Sequence, residues 1–474
     1  MRGFWIPLAS QPSFDSSTML LLTDGTVMCQ EFKSHNWYRL TPNTACSYIQ
    51  GTWTALSSMR DARLYYASAV LAEGRVIVAG GEYNGGASAV ELNTVELYDP
   101  STNTWSVVDS TLGWDSIGDA PCCVMPDKTF LMGSIDGPET ALFDPGSNTW
   151  STGGAKLGSG NSSSEETWTL LRDGSVLTVD CGKHPNAEKY VAGAWVSAGR
   201  TPNVLVEPSS LEIGPAILMA DGKVLTIGAT GHTAIYLTGA VPRRPGLWRE
   251  GPDFPRDGSG YPCGAKDAPA CLLPDGRIVC AAAPISGDRD DYKSPTSFCE
   301  FDGDNLVSVA SPPNADAAPY RRNMLLLPTG EVLFSGVQND EAGNPVSKIY
   351  AYVPDGIPVP ERKPLITSFP RAVTQGTQLT LDGTGLNGLS QAVSYGDDAS
   401  AATNYPIVRI VNKESGTVRY CRTGNHSTMA VATGGKTHST DVSVPGDIEP
   451  GPSQLYLVAN GIASEPYDIV INPA

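Results

Sequence analysis

Apolar residues along this chain gather in short runs, too brief for helices, and the runs come in pairs joined by a tight polar turn. Seven times the same phrase returns: MLLLTDGTVM (19–28), ASAVLAEGRVIVAGG (67–81), CCVMPDKTFLMG (122–133), TWTLLRDGSVLTV (167–179), PAILMADGKVLTIG (215–228), PACLLPDGRIVCA (269–281) and NMLLLPTGEVLFSG (323–336). Runs of this length around Asp-Gly or a related turn predict β-hairpins buried on both faces. The turn residues are Gly25, Gly74, Lys128, Gly174, Gly222, Gly276 and Gly330, spaced 46 to 54 residues apart. A period near fifty predicts a radial array of small sheets, in which each sheet buries its faces only against the next.

A second, outer signal follows most copies: an aromatic residue, a turn and a Trp. VELYDPSTNTW (95–105) and ALFDPGSNTW (141–150) are the clearest, and EKYVAGAW (188–195) is a looser one. Each predicts an outer hairpin whose Trp packs between neighbouring blades. Together the two signals resemble kelch repeats, which implies one four-stranded blade per repeat and a seven-bladed β-propeller over residues 1–355. Either the aromatic segment at 4–9 or the strand-like segment at 347–356 could close the ring.

A Pro-rich linker is expected at 356–370. Beyond it, over 371–474, strand-like runs return without the period, among them TQLTLDGTG, PIVRIVN, TVRYCRT and SQLYLVANG. About seven short strands in a hundred residues predict an immunoglobulin-like β-sandwich. The fold class is therefore all-β.

Composition narrows the field of functions. Fifty Gly and 37 Pro suit a turn-rich β protein, and a formal charge of −18 argues against nucleic acid as a partner. No run approaches the length of a membrane span. No apolar leader is visible at the N-terminus, which leaves cytoplasmic synthesis and a removed leader both open. Of the ten Cys, residues 29, 122, 123, 271 and 280 fall inside apolar runs and read as small core residues. Cys29 with Cys46 and Cys263 with Cys299 are candidate pairs. The acidic loop GDRDDYKSP (287–295) and the His-Ser pairs at His426 and His438 read as solvated turns and hairpin positions.

A kelch propeller followed by this sandwich resembles the galactose oxidase and glyoxal oxidase family. The resemblance implies alcohol or aldehyde oxidation at a copper ion held by two Tyr and two His, one Tyr being thioether-linked to Cys beneath an aromatic ring. It also implies that the segment AVSYGDDASAATNYPIVRI (392–410) reaches back toward the propeller axis. Matched residue by residue, Tyr65 takes the place of the radical Tyr, Tyr83 that of the stacking aromatic, and Tyr320 that of the axial Tyr. Arg321 and Ser400 stand at the two His positions, and Ser16, Ser17 and Thr18 stand where the cross-linking Cys belongs. Copper(II) in an N,O site takes imidazole nitrogens, and a guanidinium stays protonated. The match therefore predicts a copper-free relative with no cofactor of the family kind.

The repeat register points to the same region for another reason. The residues entering each inner strand, some eight to ten before the turn, are Asp15, Tyr65 with Arg63 near it, Asp119, Glu165 with Glu166, Glu212, Asp267, and Tyr320 with Arg321. Inner strands line a propeller's channel and their starts ring one mouth of it. A carboxylate ring with Arg63, Arg321 and Arg322 opposite it predicts one of three things. Asp119, Glu165, Glu212 and Asp267 would suit a hard cation such as Ca²⁺. The charges could close the channel as a salt-bridge network. The mouth could also hold a polar ligand. The expectation is a recognition or structural module that takes a glycan or protein partner at this face. The alternative is an enzyme doing acid–base chemistry with Asp119, Asp267, Tyr65 or Tyr320, or, further off, a divergent oxidase.

Overall fold

In a computed structural model of the chain, which describes residues 2–84, 88–109, 112–158, 161–285, 294–313, 315–339, 345–395 and 401–474, each of the seven phrases is a hairpin. The turn residue takes a left-handed backbone in every copy, from φ 74° at Gly25 to 96° at Gly276, and Lys128 at φ 81° is the one residue with a side chain to do so. Where the turn carries Asp, its carboxylate accepts the amide two residues on, as Asp24 does from Thr26 (3.0 Å) and Asp173 from Ser175 (3.1 Å).

Seven small antiparallel sheets result, with innermost strands Ser16–Leu21, Ala67–Val70, Cys122–Val124, Thr169–Leu170, Ala216–Leu218, Ala270–Leu272 and Arg322–Leu326. These are blades one to seven of a kelch-type propeller. The last blade is completed from the other end of the chain: Phe4–Pro7 pairs antiparallel with Tyr350–Val353, Phe4 opposite Val353 and Pro7 opposite Tyr350. Both segments considered for closure are thus used, as partners in one sheet.

The outer Trp residues tie each blade to the one before it. The indole N–H of Trp105 donates to Ser57 O (2.9 Å), that of Trp150 to Asp109 O (3.1 Å), that of Trp195 to Thr140 Oγ1 (3.3 Å) and that of Trp248 to Ala198 O (3.0 Å). All ten Cys are buried and none is in a disulfide, so neither Cys29–Cys46 nor Cys263–Cys299 is joined. Among the described residues no helix is long and apolar enough to cross a membrane.

The chain leaves the propeller after Tyr350–Val353, makes a 3-10 turn at Pro360–Arg362 and enters a sandwich at Leu365–Ser368. One run of the sandwich pairs Leu365–Ser368, Gln378–Thr384, Thr437–Ser443 and Val418–Gly424. The other continues through Ile407–Asn412, Gly451–Ala459 and Tyr467–Asn472 to Ala372–Thr374. Alternate residues of these strands, such as Leu379, Leu381, Val408, Ile410, Leu455 and Leu457, close its own core.

The two parts interlock. Val393–Ser394 leaves the sandwich and adds to the innermost strand of blade six, with Cys271 opposite Val393 and Ala270 opposite Ser394. Gln391 Oε1 accepts the amide of Leu170 in blade four (2.8 Å), and Ser394 Oγ accepts that of Ala216 in blade five (3.2 Å). The start of the segment resembling one that reaches back toward the axis, Val393–Ser394, does so here.

Candidate functional site: the axial mouth

The ring positions have a backbone signature of their own. Tyr65 (φ 49°), Gly118 (59°), Glu165 (62°), Leu211 (65°) and Asp267 (42°) all lie in the left-handed region, at or next to the residue that enters the inner strand in blades two to six. A side chain there destabilises the backbone by about 1–2 kcal/mol. Such strain persists where surrounding structure enforces it, and it clusters at functional sites.

Three of the expected acids converge: carboxylate oxygens of Glu165, Glu212 and Asp267 lie within 4.8 Å of one another. Glu212 is buried at 8% exposure, while Glu165 and Asp267 are half-buried. Asp119 joins them electrostatically. Burial pushes its carboxyl up to about 6, its own backbone amide opposes that, and Glu212 and Glu91 add to it. Glu82 is pushed up to about 7 by burial first, then by Asp119, Glu91 and Glu212, with Lys33 opposing. Like charges packed this closely disfavour one another's ionisation.

Glu82 and Glu91 were missed in the sequence because they follow the second inner strand, outside the register that singles out the ring. The visible signal was Glu82 directly after the Gly80-Gly81 pair.

The other side of the mouth is aromatic and cationic. Ser17, Thr18, Phe32, Tyr65, Tyr320, Arg321, Asn323 and Tyr395 line a small cleft that opens to solvent. Tyr320 sits on a 3-10 turn, Pro319–Arg321, and accepts at its hydroxyl from Arg321 Nε (2.9 Å). Its carbonyl accepts from Tyr395 Oη, a side chain supplied by the C-terminal segment. Tyr65 and Tyr83 meet edge to face, centroids 6.4 Å apart at 72°, rather than stacked. Lys33 Nζ stands 4.0 Å above the Tyr83 ring. Burial, Glu82, Tyr320 and Asp119 together raise the Tyr83 phenol, so the aromatic side and the acid cluster are neighbours.

Two expected residues serve elsewhere. Arg63 is fully buried and donates to Glu96 (2.7 Å), Gly80 O (2.6 Å) and Thr94 O (3.1 Å), so its guanidinium is spent inside blade two. Glu166 is buried in an ion pair with Lys156 and accepts from Trp168 Nε1 (3.2 Å) and Thr178 Oγ1 (3.1 Å). Burial raises its carboxyl, and the Lys156 ammonium opposes this. Both are halves of structural ion pairs rather than ligand contacts. Asp15 is raised by burial and by Glu31 in its own blade. Ser400 and most of the loop at 287–295 lie outside the described residues.

The donor set of the cleft does not fit a copper ion. Phenols are present, but among the described residues no imidazole lines it. His35 is exposed, His184 Nδ1 lies 3.0 Å from Cys181 O, and His232 Nδ1 lies 2.7 Å from Asp253 Oδ1. His426 is buried against Tyr405, and His438 belongs to the sandwich strand Thr437–Ser443. Arg321 brings a positive charge where an imidazole nitrogen would be needed. The Cys122 and Cys123 thiols donate to Ser68 O (3.6 Å) and Val124 O (3.6 Å) within the core.

Comparison with known proteins agrees at the level of fold. A family model, the Kelch motif, matches residues 63–111, which span blade two. None of the curated proteins matches the chain in sequence. Among solved structures, a fungal alcohol oxidase of the AA5 family, determined in complex with copper, superposes with a TM-score of 0.55 at 15% identity, over 100% of this chain and 99% of that one. A putative gluconolactonase gives a TM-score of 0.38 at 10% identity, over 75% of this chain and 93% of that one. The chain thus carries a kelch motif within a galactose oxidase-like fold of propeller and sandwich.

Proposed function

We propose that the axial mouth is a recognition site for a polyhydroxylated, carbohydrate-type ligand. The observation behind this reading is the recurrence of left-handed backbone at the ring positions of successive blades, with Tyr65, Glu165 and Asp267 holding side chains there against the intrinsic preference. Sugar hydroxyls both donate and accept. The carboxylates of Glu165, Glu212 and Asp267 supply acceptors, the hydroxyls and amide of the neighbouring cleft supply donors, and Tyr65 and Tyr83 supply apolar ring surface.

The test is glycan-array screening followed by calorimetric titration of the best binder, with Ca²⁺ and with chelator in parallel. The double variant Asp119→Asn with Asp267→Asn should lose binding at least tenfold while its melting temperature stays the same or rises. Retained binding in a folded variant overturns the reading. Chelator-sensitive binding would assign the Glu165, Glu212 and Asp267 cluster to a hard cation that helps hold the sugar.

One observation favours a second, catalytic reading. Asp119 near 6 and Glu82 near 7 place two half-buried carboxyls of one cluster close to neutrality, where one can give and another take a proton. Release of reducing ends from a bound oligosaccharide, lost in Asp119→Asn, would move the assignment from binding to hydrolysis.

A further inference from the structure

We propose that the ligand of the axial mouth carries an anionic group, a carboxylate or a sulfate, and that Arg321 receives it together with the polar side chains of Ser17, Thr18, Tyr65, Tyr320 and Asn323. This rests on the reading of the mouth as a carbohydrate site and adds the charge of the sugar.

Each of these six side chains can donate a hydrogen bond, and among the described residues that line the cleft none is a carboxylate. In a chain of net charge −18, beside a cluster of acids, a cleft lined in this way is a selective feature. Arg321 is exposed and forms no ion pair among the described residues, yet it is oriented, because its Nε donates to Tyr320 Oη and its guanidinium lies 5.3 Å from that ring's centroid. With Nε held, the terminal nitrogens present the fork that matches a carboxylate or sulfate.

A second cation stands behind it. Arg322 is 2% exposed, and its Nε and Nη2 have no hydrogen-bond partner among the described residues. Burial above all pulls it down to about 10, with Arg321 adding to the shift and Asp316 opposing it, so it remains charged at neutral pH. Its positive charge adds to that of Arg321 at the Tyr320 end of the mouth, with Asp316 acting against it, whereas the acids gather around Glu212. That polarity sets an orientation: the anionic group goes to the Tyr320 side and the neutral hydroxyls face Glu165, Glu212 and Asp267.

The experiment uses the full chain on an array holding uronate- and sulfate-bearing glycans, their methyl-esterified or desulfated counterparts, and neutral glycans. Inorganic sulfate serves as a competitor, to separate a glycan-borne anion from a free one. Acidic glycans should bind at least tenfold tighter than their neutralised counterparts. Arg321→Gln should erase that ratio by bringing the acidic forms down to the affinity of their neutralised counterparts, and Arg321→Lys should restore only part of it. Equal binding of charged and neutralised glycans overturns the anionic group and leaves the carbohydrate reading standing. Retention of no glycan at all overturns both. Occupancy by inorganic sulfate alone overturns the glycan-borne anion.

Discussion

Asp119 shows how one residue can link the mouth's chemistry to the stability of the fold. Its folded-state carboxyl is raised above the ordinary 3.8 to about 6, by burial first and by Glu212 and Glu91 after it. The fold therefore binds this proton more tightly than the unfolded chain does. The contribution is fully favourable below about pH 4 and is lost as pH rises through 6. Asp119→Asn, which mimics the neutral form, should leave urea stability unchanged near pH 4. It should raise stability by about 1–2 kcal/mol near pH 7.5, a range reduced for the group's partial exposure. An equal effect at both pH values would mean that packing, not charge, governs the site. Asp119 was legible in the sequence because it keeps a fixed offset from its turn. Glu82 was not, because no offset distinguishes a carboxylate that follows a strand from one on an ordinary loop.

Among whole elements, what the sequence showed well was what repeats. Turn chemistry and outer Trp residues recur in copy after copy, so the hairpins and the packing between blades could be read directly. Ion pairs do not recur. Arg63 and Glu166 looked like ring residues because they adjoin the ring in sequence. Their partners, Glu96 and Lys156, come from neighbouring strands and loops, and no spacing rule identifies those. The Lys156–Glu166 pair has both side chains at 0% exposure between blades three and four. Lys156→Met leaves a buried carboxyl without its cation and should destabilise by about 3–5 kcal/mol. Adding Glu166→Leu to Lys156→Met should recover much of that loss. Denaturant midpoints of the two variants decide it: a double variant no better than the single one would show that the pair contributes through shape rather than charge.

Across the whole molecule, the seven blades and the sandwich were legible, but the way they are fastened was only half so. Two closing segments were in view, and the sequence offered no reason to expect both in one sheet. Pairing of Phe4–Pro7 with Tyr350–Val353 needs registry between opposite ends of the propeller, which local pattern does not encode. The closure is reinforced by Arg277, which meets Glu300 (2.6 Å) from blade six and Asp355 (2.7 Å) from just beyond the last blade.

The strand Val393–Ser394 has a further consequence. Through it the sandwich grips blades four, five and six from inside the ring, by Gln391, Ser394 and the pairing with Cys271. A ring hung on such a peg cannot loosen by one blade without unhooking the other domain, so the two parts lose their independence as melting units. Differential scanning calorimetry should show a single endotherm for the full chain, with calorimetric and van't Hoff enthalpies in agreement. Gln391→Ala with Ser394→Ala should split it into two, turning one cooperative body back into a propeller and a sandwich that merely share a chain.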